Sequence, residues 1–167
     1  MVIDEAHEFV DRVTSSVTES LHQGAIRGAV RELRSLGVSA LELDDAGSAL
    51  QEALAPLPDG RVRGELEARL RDTLAAIRAE AESAREEAKN AGDSSDATTA
   101  GARTSVRAKL QEIIDVCERL LAPHEDDVVY LNHSEALGRT FIDVAPLSVA
   151  GLVKTRMLNE RTSIFTS

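Results

Sequence analysis

Residues 1–13 read MVIDEAHEFVDRV, and the stretch from Val2 to Glu8 decides how the rest of the chain is understood. Val2 and Ile3 form a short apolar run of strand type, and Asp4 and Glu5 follow where a strand would end and an amphipathic helix begin. Two readings of that junction are open. Asp4 and Glu5 can serve as an acidic N-cap, since carboxylates sit favourably at the positive end of a helix. They can also belong to a nucleotide-hydrolysing site, because open α/β sheets place metal and water chemistry at the carboxyl ends of their strands. His7 and Glu8 open an H-E-x-x pattern, but position 11 is Asp11 where a zinc protease would need a second histidine.

Composition narrows the classes. At 167 residues with 43% hydrophobic content, the chain is sized for one domain or a small pair. No apolar run in the sequence is long enough to span a bilayer, so no membrane partner is expected. One cysteine, Cys117, excludes an internal disulfide framework and any thiolate metal site built from this chain alone. It lies on an apolar stripe and reads as a small buried side chain. Nothing at the N-terminus resembles a signal sequence, and a cytoplasmic location is expected. The formal charge of −10 opposes a surface that is basic throughout, so any nucleic-acid contact must be local. Base-stacking side chains are also scarce, being limited to Phe9, Tyr130, Phe141 and Phe165.

Residues 20–123 are rich in Ala, Leu, Glu and Arg at helical spacings, whereas both flanks carry β-branched and aromatic runs. Ile26, Val30 and Leu33 share one helical face ahead of a stop at Gly37, and Ala46, Leu50, Leu54 and Leu57 share another after a cap at Asp44 or Asp45. The segment 61–90 places Val62, Leu66, Leu70, Leu74, Ile77, Ala81, Ala84 and Ala88 three and four residues apart, which predicts one long helix of about 45 Å. The sequence AGDSSDATTAG, residues 91–101, reads as a mobile loop. Val106, Leu110, Ile113, Cys117 and Leu120 then form a second stripe, giving an antiparallel helical hairpin.

Beyond His124, the runs Val128–Leu131 and Thr140–Val144 predict a β-hairpin. Pro146 and Ser148 open a further helix carrying Val149, Leu152, Val153 and Met157, and TSIFTS, residues 162–167, reads as a buried strand with a polar tip. His22, His124 and His133 have no common spacing and are read as surface or structural residues.

The ordered set VIDEAHE, a helical insertion, DVAPLSVAGLVKTRML at 143–158 and TSIFTS at 162–167 resembles the DinG/XPD-type branch of superfamily 2 DNA helicases. Both flanks carry the resemblance strongly, and the helical middle matches by position and type. The fold class it implies is mainly α with a small β part: a helical Arch-like insertion at 21–123 flanked by pieces of a RecA-like α/β motor domain, 1–20 and 124–167. The resemblance implies that Asp4 holds the magnesium of bound ATP through water and that Glu5 orients the attacking water. It further implies that His7 relays the nucleotide state to Thr166 and Ser167, which begin the third motor motif, and that the strands ending at Asp4 and at Thr166 lie side by side and parallel although the whole chain separates them. Single-stranded or forked DNA and the remaining helicase domains are the implied partners, and DNA repair the implied context. Many family members bind an iron–sulfur cluster upstream of the DEAH box, a cluster this chain cannot hold.

No Gly-Lys dipeptide occurs, so the phosphate loop G-x-x-x-x-G-K-[ST] is absent from these residues. The resemblance therefore implies a section of a longer motor, inactive by itself. The competing class is a non-enzymatic helical interaction module in which DEAH is only a cap.

Overall fold

The structure, a computed structural model, describes residues 2–3, 6–91, 97–136, 138–148 and 164–165, with the backbone alone at 2–3, 6–11, 97 and 164–165. Its described elements are β1 (Val2–Ile3), α1 (Ala6–Val17), β2 (Glu19–Leu21), α2 (Gln23–Ser35), α3 (Leu41–Leu54), β3 (Gly60–Arg61), α4 (Ala68–Asn90), α5 (Ala97–Leu121), β4 (Asp127–Ser134), β5 (Arg139–Pro146) and β6 (Ile164–Phe165). The fold is mainly helical with a small antiparallel four-stranded sheet, as expected at that level.

Helix α2 buries Ile26, Ala29, Val30 and Leu33, the i, i+3, i+4, i+7 pattern of a one-sided helix. It ends at the expected stop. Gly37 has φ +77°, its N–H donates to the Arg34 carbonyl at 3.1 Å, and the Val38 N–H donates to the Leu33 carbonyl at 3.0 Å. Those two bonds satisfy the last carbonyls of the helix, while the buried Leu33 and Val38 complete the cap with an apolar contact.

Helix α3 starts earlier than a cap at Asp44 or Asp45 would allow. Its first residue is Leu41, and the buried set is Leu43, Gly47, Leu50, Ala53 and Leu54. Asp44 is not capping: its carboxylate takes the Arg34 guanidinium at 2.9 Å and lies 3.8 Å from Arg27, tying α3 to α2. The gain from burying Leu43, 1% exposed, carries the helix through the acidic pair.

The expected long helix is shorter at its start. Gly60 and Arg61 pair as an edge strand with Leu131 and Tyr130, and the Val62 N–H donates to the Val129 carbonyl at 2.9 Å. Backbone groups engaged with the sheet cannot also begin a helix, so α4 starts at Ala68 and spans 23 residues, about 35 Å. Its buried stripe runs Leu70, Leu74, Ile77, Ala81, Ala84 and Ala88 against Val106, Leu110, Ile113, Cys117 and Leu120 of α5. This is the expected helical hairpin. Helix α5 begins at Ala97, so part of the stretch read as a loop is helical, and residues 92–96 lie outside the described set.

The four-stranded sheet has the order β2-β5-β4-β3, with every neighbour antiparallel. The predicted hairpin is its centre, in register from Asp127 opposite Pro146 to Ser134 opposite Arg139. Leu21, Leu131, Ile142 and Val144 join the helical side chains in one continuous core. The hairpin assigned by sequence to the motor flank thus packs with the helices on the other side of residue 124. The helix expected after Pro146, with Val149, Leu152, Val153 and Met157, lies outside the described residues.

Among the described residues, a second sheet pairs β1 with β6. They run parallel, Val2 opposite Ile164 and Ile3 opposite Phe165, although nearly the whole chain separates them. Parallel neighbours require a crossover connection. Here the crossover contains the helical unit and the antiparallel sheet.

Candidate functional site

The residues assigned to nucleotide chemistry by resemblance surround the β1–β6 pair in sequence. Asp4 and Glu5 follow Ile3, and Thr166 and Ser167 follow Phe165. Ile3 and Phe165 are register partners on parallel strands, which neighbour each other at about 4.8 Å. The register thus sets side by side Ile3 and Phe165, the residues that precede the two motif segments in the sequence. Asp4, Glu5, Thr166 and Ser167 themselves lie outside the described residues. His7 falls in the first turn of α1, described by backbone alone. A helix beginning at Ala6 suits a cap as well as a catalytic loop, whereas a cap does not call for a parallel partner strand.

An Asp4 carboxylate suits a hard cation such as magnesium, which prefers carboxylate and water oxygens. Among the described residues, no group of three or more His, Cys, Asp or Glu side chains is placed to hold a metal ion.

At the C-terminal end of α1, a part-buried ion cluster joins Val17 and Glu19 to the helical hairpin. Arg119, in the last turn of α5, donates from Nη1 to Glu19 Oε1 at 2.7 Å and to the Val17 carbonyl at 3.3 Å. Its Nε and Nη2 grip the two oxygens of Asp127 at 3.0 and 2.7 Å, and the His124 N–H adds a bond to Asp127 Oδ2 at 3.0 Å. The Asp127 side chain is only 3% exposed. The Arg119 guanidinium holds the Asp127 carboxyl below the usual carboxylate range, burial opposing, and Asp127 in turn raises Arg119 further. One guanidinium therefore fixes the C-terminal end of α1, β2, α5 and β4 together. Sequence reading missed it, because an arginine near a helix C-terminus is already explained by the helix dipole.

The histidines divide by environment. His133 bonds Asp59 through its backbone N–H at 2.7 Å and through its ring Nδ1, latching the turn before β3 to the hairpin and drawing the Asp59 carboxyl down. The His22 ring lies 4.6 Å from that of Phe141. Its pKa is lowered first by burial and then by Arg139, with Asp143 opposing. Both fit the structural role expected, and His124 is exposed.

Cys117 is fully buried, and burial pushes its thiol up to about 12, the inert environment its stripe position implied. Among the described residues, no helix is long and apolar enough to cross a membrane. No protein-family model matches the chain, and no curated protein matches it.

Proposed function

We propose that the chain is a section of an ATP-dependent DNA helicase of the DinG/XPD type, coupling nucleotide hydrolysis at the DEAH box to separation of DNA strands. The observation that carries this reading is the parallel pairing of β1 with β6 across the whole intervening chain. A motor domain interrupted by an Arch-like insertion needs such a pair, and a helical interaction module with an accidental cap does not. In the proposed site Glu5 accepts a proton from the attacking water and orients it, while Asp4 carries the cation. Magnesium, when bound, would neutralise charge on the phosphates. His7 lies one helical position beyond Ala6 and would pass the nucleotide state to Thr166 and Ser167, which follow β6 in the sequence.

Because these residues include no phosphate loop, the purified 167-residue chain is expected to hydrolyse no ATP. In the longer polypeptide that this reading entails, Glu5→Gln should abolish DNA-stimulated hydrolysis and leave nucleotide binding nearly intact, since it removes a base and no phosphate contact. Phosphate release and labelled-nucleotide binding measure the two separately. Hydrolysis that survives Glu5→Gln, or a gene encoding no upstream phosphate loop, would overturn the proposal.

A further inference from the structure

An open sheet has two edges, and those of the antiparallel sheet differ. At one edge β3 is only two residues long, and beyond it the His133 N–H donates to Asp59 Oδ1 at 2.7 Å. At the other edge lies β2, whose residues Glu19, Ser20 and Leu21 pair with Val144, Asp143 and Ile142 on one side. An antiparallel strand turns the N–H and C=O of alternate residues away from its neighbour, so β2 presents unpaired backbone groups outward. Among the described residues, no backbone hydrogen bond reaches that outer side. The Ser20 hydroxyl is engaged with Asp143, which leaves the main chain as what this edge offers.

Those three residues of β2 form one wall of a groove of about 500 Å³. Helix α2 supplies the second wall at Gly24, Ala25 and Gly28, and α5 the third. Gly28 has no packing reason to be glycine, since a Cβ there would meet nothing within 4 Å. Glycine in a helix interior is costly beside alanine, and here it keeps space open against the strand. From α5, Ile113 and Val116 give the groove an apolar floor, while Glu112 and Asp115 stand exposed at its rim. Among the described residues Glu112 has no partner, and Asp115 accepts a bond from Gln111 Nε2 at 2.6 Å. Lys109, the cation of this lining, is held by Glu32 of α2, so it leaves the two carboxylates uncompensated.

We propose that this groove binds an extended peptide segment of a partner protein, which adds to β2 as a fifth strand and sets a lysine or arginine over Glu112 and Asp115. The strand edge selects the form of the ligand: outward N–H and C=O groups are met by another strand, whereas the backbone groups of a helix are already bonded within it. The uncompensated carboxylates select its charge. Three residues of β2 span about 10 Å, so the pairing is short and side chains must add to it. Alternate residues of the added strand share a face, and those turned inward would fill the space beside Gly28. A second copy of this chain is a poorer occupant, because it brings its own charge of −10 to an acidic rim. Binding requires neither nucleotide nor the β1–β6 pair, so it is independent of the proposed motor chemistry.

The test selects phage-displayed random decapeptides on the 167-residue chain and measures the enriched peptides, labelled with fluorescein, by anisotropy. Enriched sequences should set lysine or arginine between apolar residues at alternate positions and lack proline in the paired stretch. Methylating the peptide nitrogens that face β2 should raise Kd about tenfold, the loss of one or two hydrogen bonds. Gly28→Leu fills the groove and should weaken binding about tenfold or more, while the thermal midpoint holds or rises because leucine is the better helix former. Glu112→Lys with Asp115→Lys should weaken the basic peptides about tenfold. Asp72→Lys with Glu87→Lys makes the same charge change on exposed residues of α4 outside the groove and should leave Kd within about twofold, with far-UV circular dichroism confirming that both variants fold. No enrichment, enriched peptides without a basic residue, binding indifferent to N-methylation or to Gly28→Leu, or equal loss from both lysine pairs would overturn the proposal. Peptides that bind as helices would overturn the added strand, and self-association of the chain abolished by Gly28→Leu would give the groove to a second copy instead.

Discussion

Arg119 shows how much one side chain can organise. Removing it by Arg119→Ala leaves Asp127 ionised and nearly buried without its main partner, a change expected to cost about 2–3 kcal/mol in urea unfolding. The pH dependence has a definite sign. The folded Asp127 carboxyl binds protons less readily than the unfolded one, so its contribution is present above the unfolded pKa near 3.8 and is lost as pH falls toward the folded value. Asp127→Asn should therefore lower stability at neutral pH and flatten its decline in acid, measured as unfolding midpoints across pH 2–6. Cys117 makes the opposite point. With a thiol pushed up to about 12 and no exposure, it should resist a thiol-reactive dye in the folded chain at pH 8 and react promptly in urea. Its character was legible because a stripe position states burial directly. The Arg119 cluster was not, since the partners of Arg119 arrive from segments a hundred residues away as well as from eight residues on.

At the scale of elements, apolar periodicity gave the helices and packing moved their ends. The stop of α2 was readable because Gly37 supplies the left-handed residue a helix cap uses. The start of α3 was not, because Asp44 looks like a cap in sequence and is a salt-bridge partner of α2 in space. In the α4–α5 hairpin, large side chains such as Leu74 and Ile77 fill one portion and Ala81, Ala84 and Ala88 let the helices approach in the other. Leu74→Ala is expected to lower stability by about 2–5 kcal/mol through an unfilled cavity. Ala81→Leu, at a fully buried position, should cost about 1–3 kcal/mol by overpacking. Urea midpoints at unchanged m-value would register both as losses of packing rather than of fold.

At the scale of the molecule, the described residues form two sheets of opposite kind, an antiparallel one fused to the helices and a parallel pair made by β1 and β6. Deleting residues 1–5 removes the partner of β6. Amide exchange at Ile164 and Phe165 should then accelerate, while the hairpin at 127–146, whose partners remain, keeps its protection. Equal loss in both regions would mean that the two sheets unfold as one unit. The sequence by itself determined the mainly helical class, the α4–α5 hairpin, the β4–β5 hairpin and the buried Cys117, because each follows from local spacing of apolar side chains. It also implied the β1–β6 neighbourhood, through resemblance rather than periodicity. Only the tertiary structure decided where α3 and α4 begin, that β2 and β3 flank the hairpin, and that β2, α2 and α5 line one groove. Those outcomes depend on contacts between segments distant along the chain, and a local pattern carries no record of which distant backbone or charge will be brought beside it.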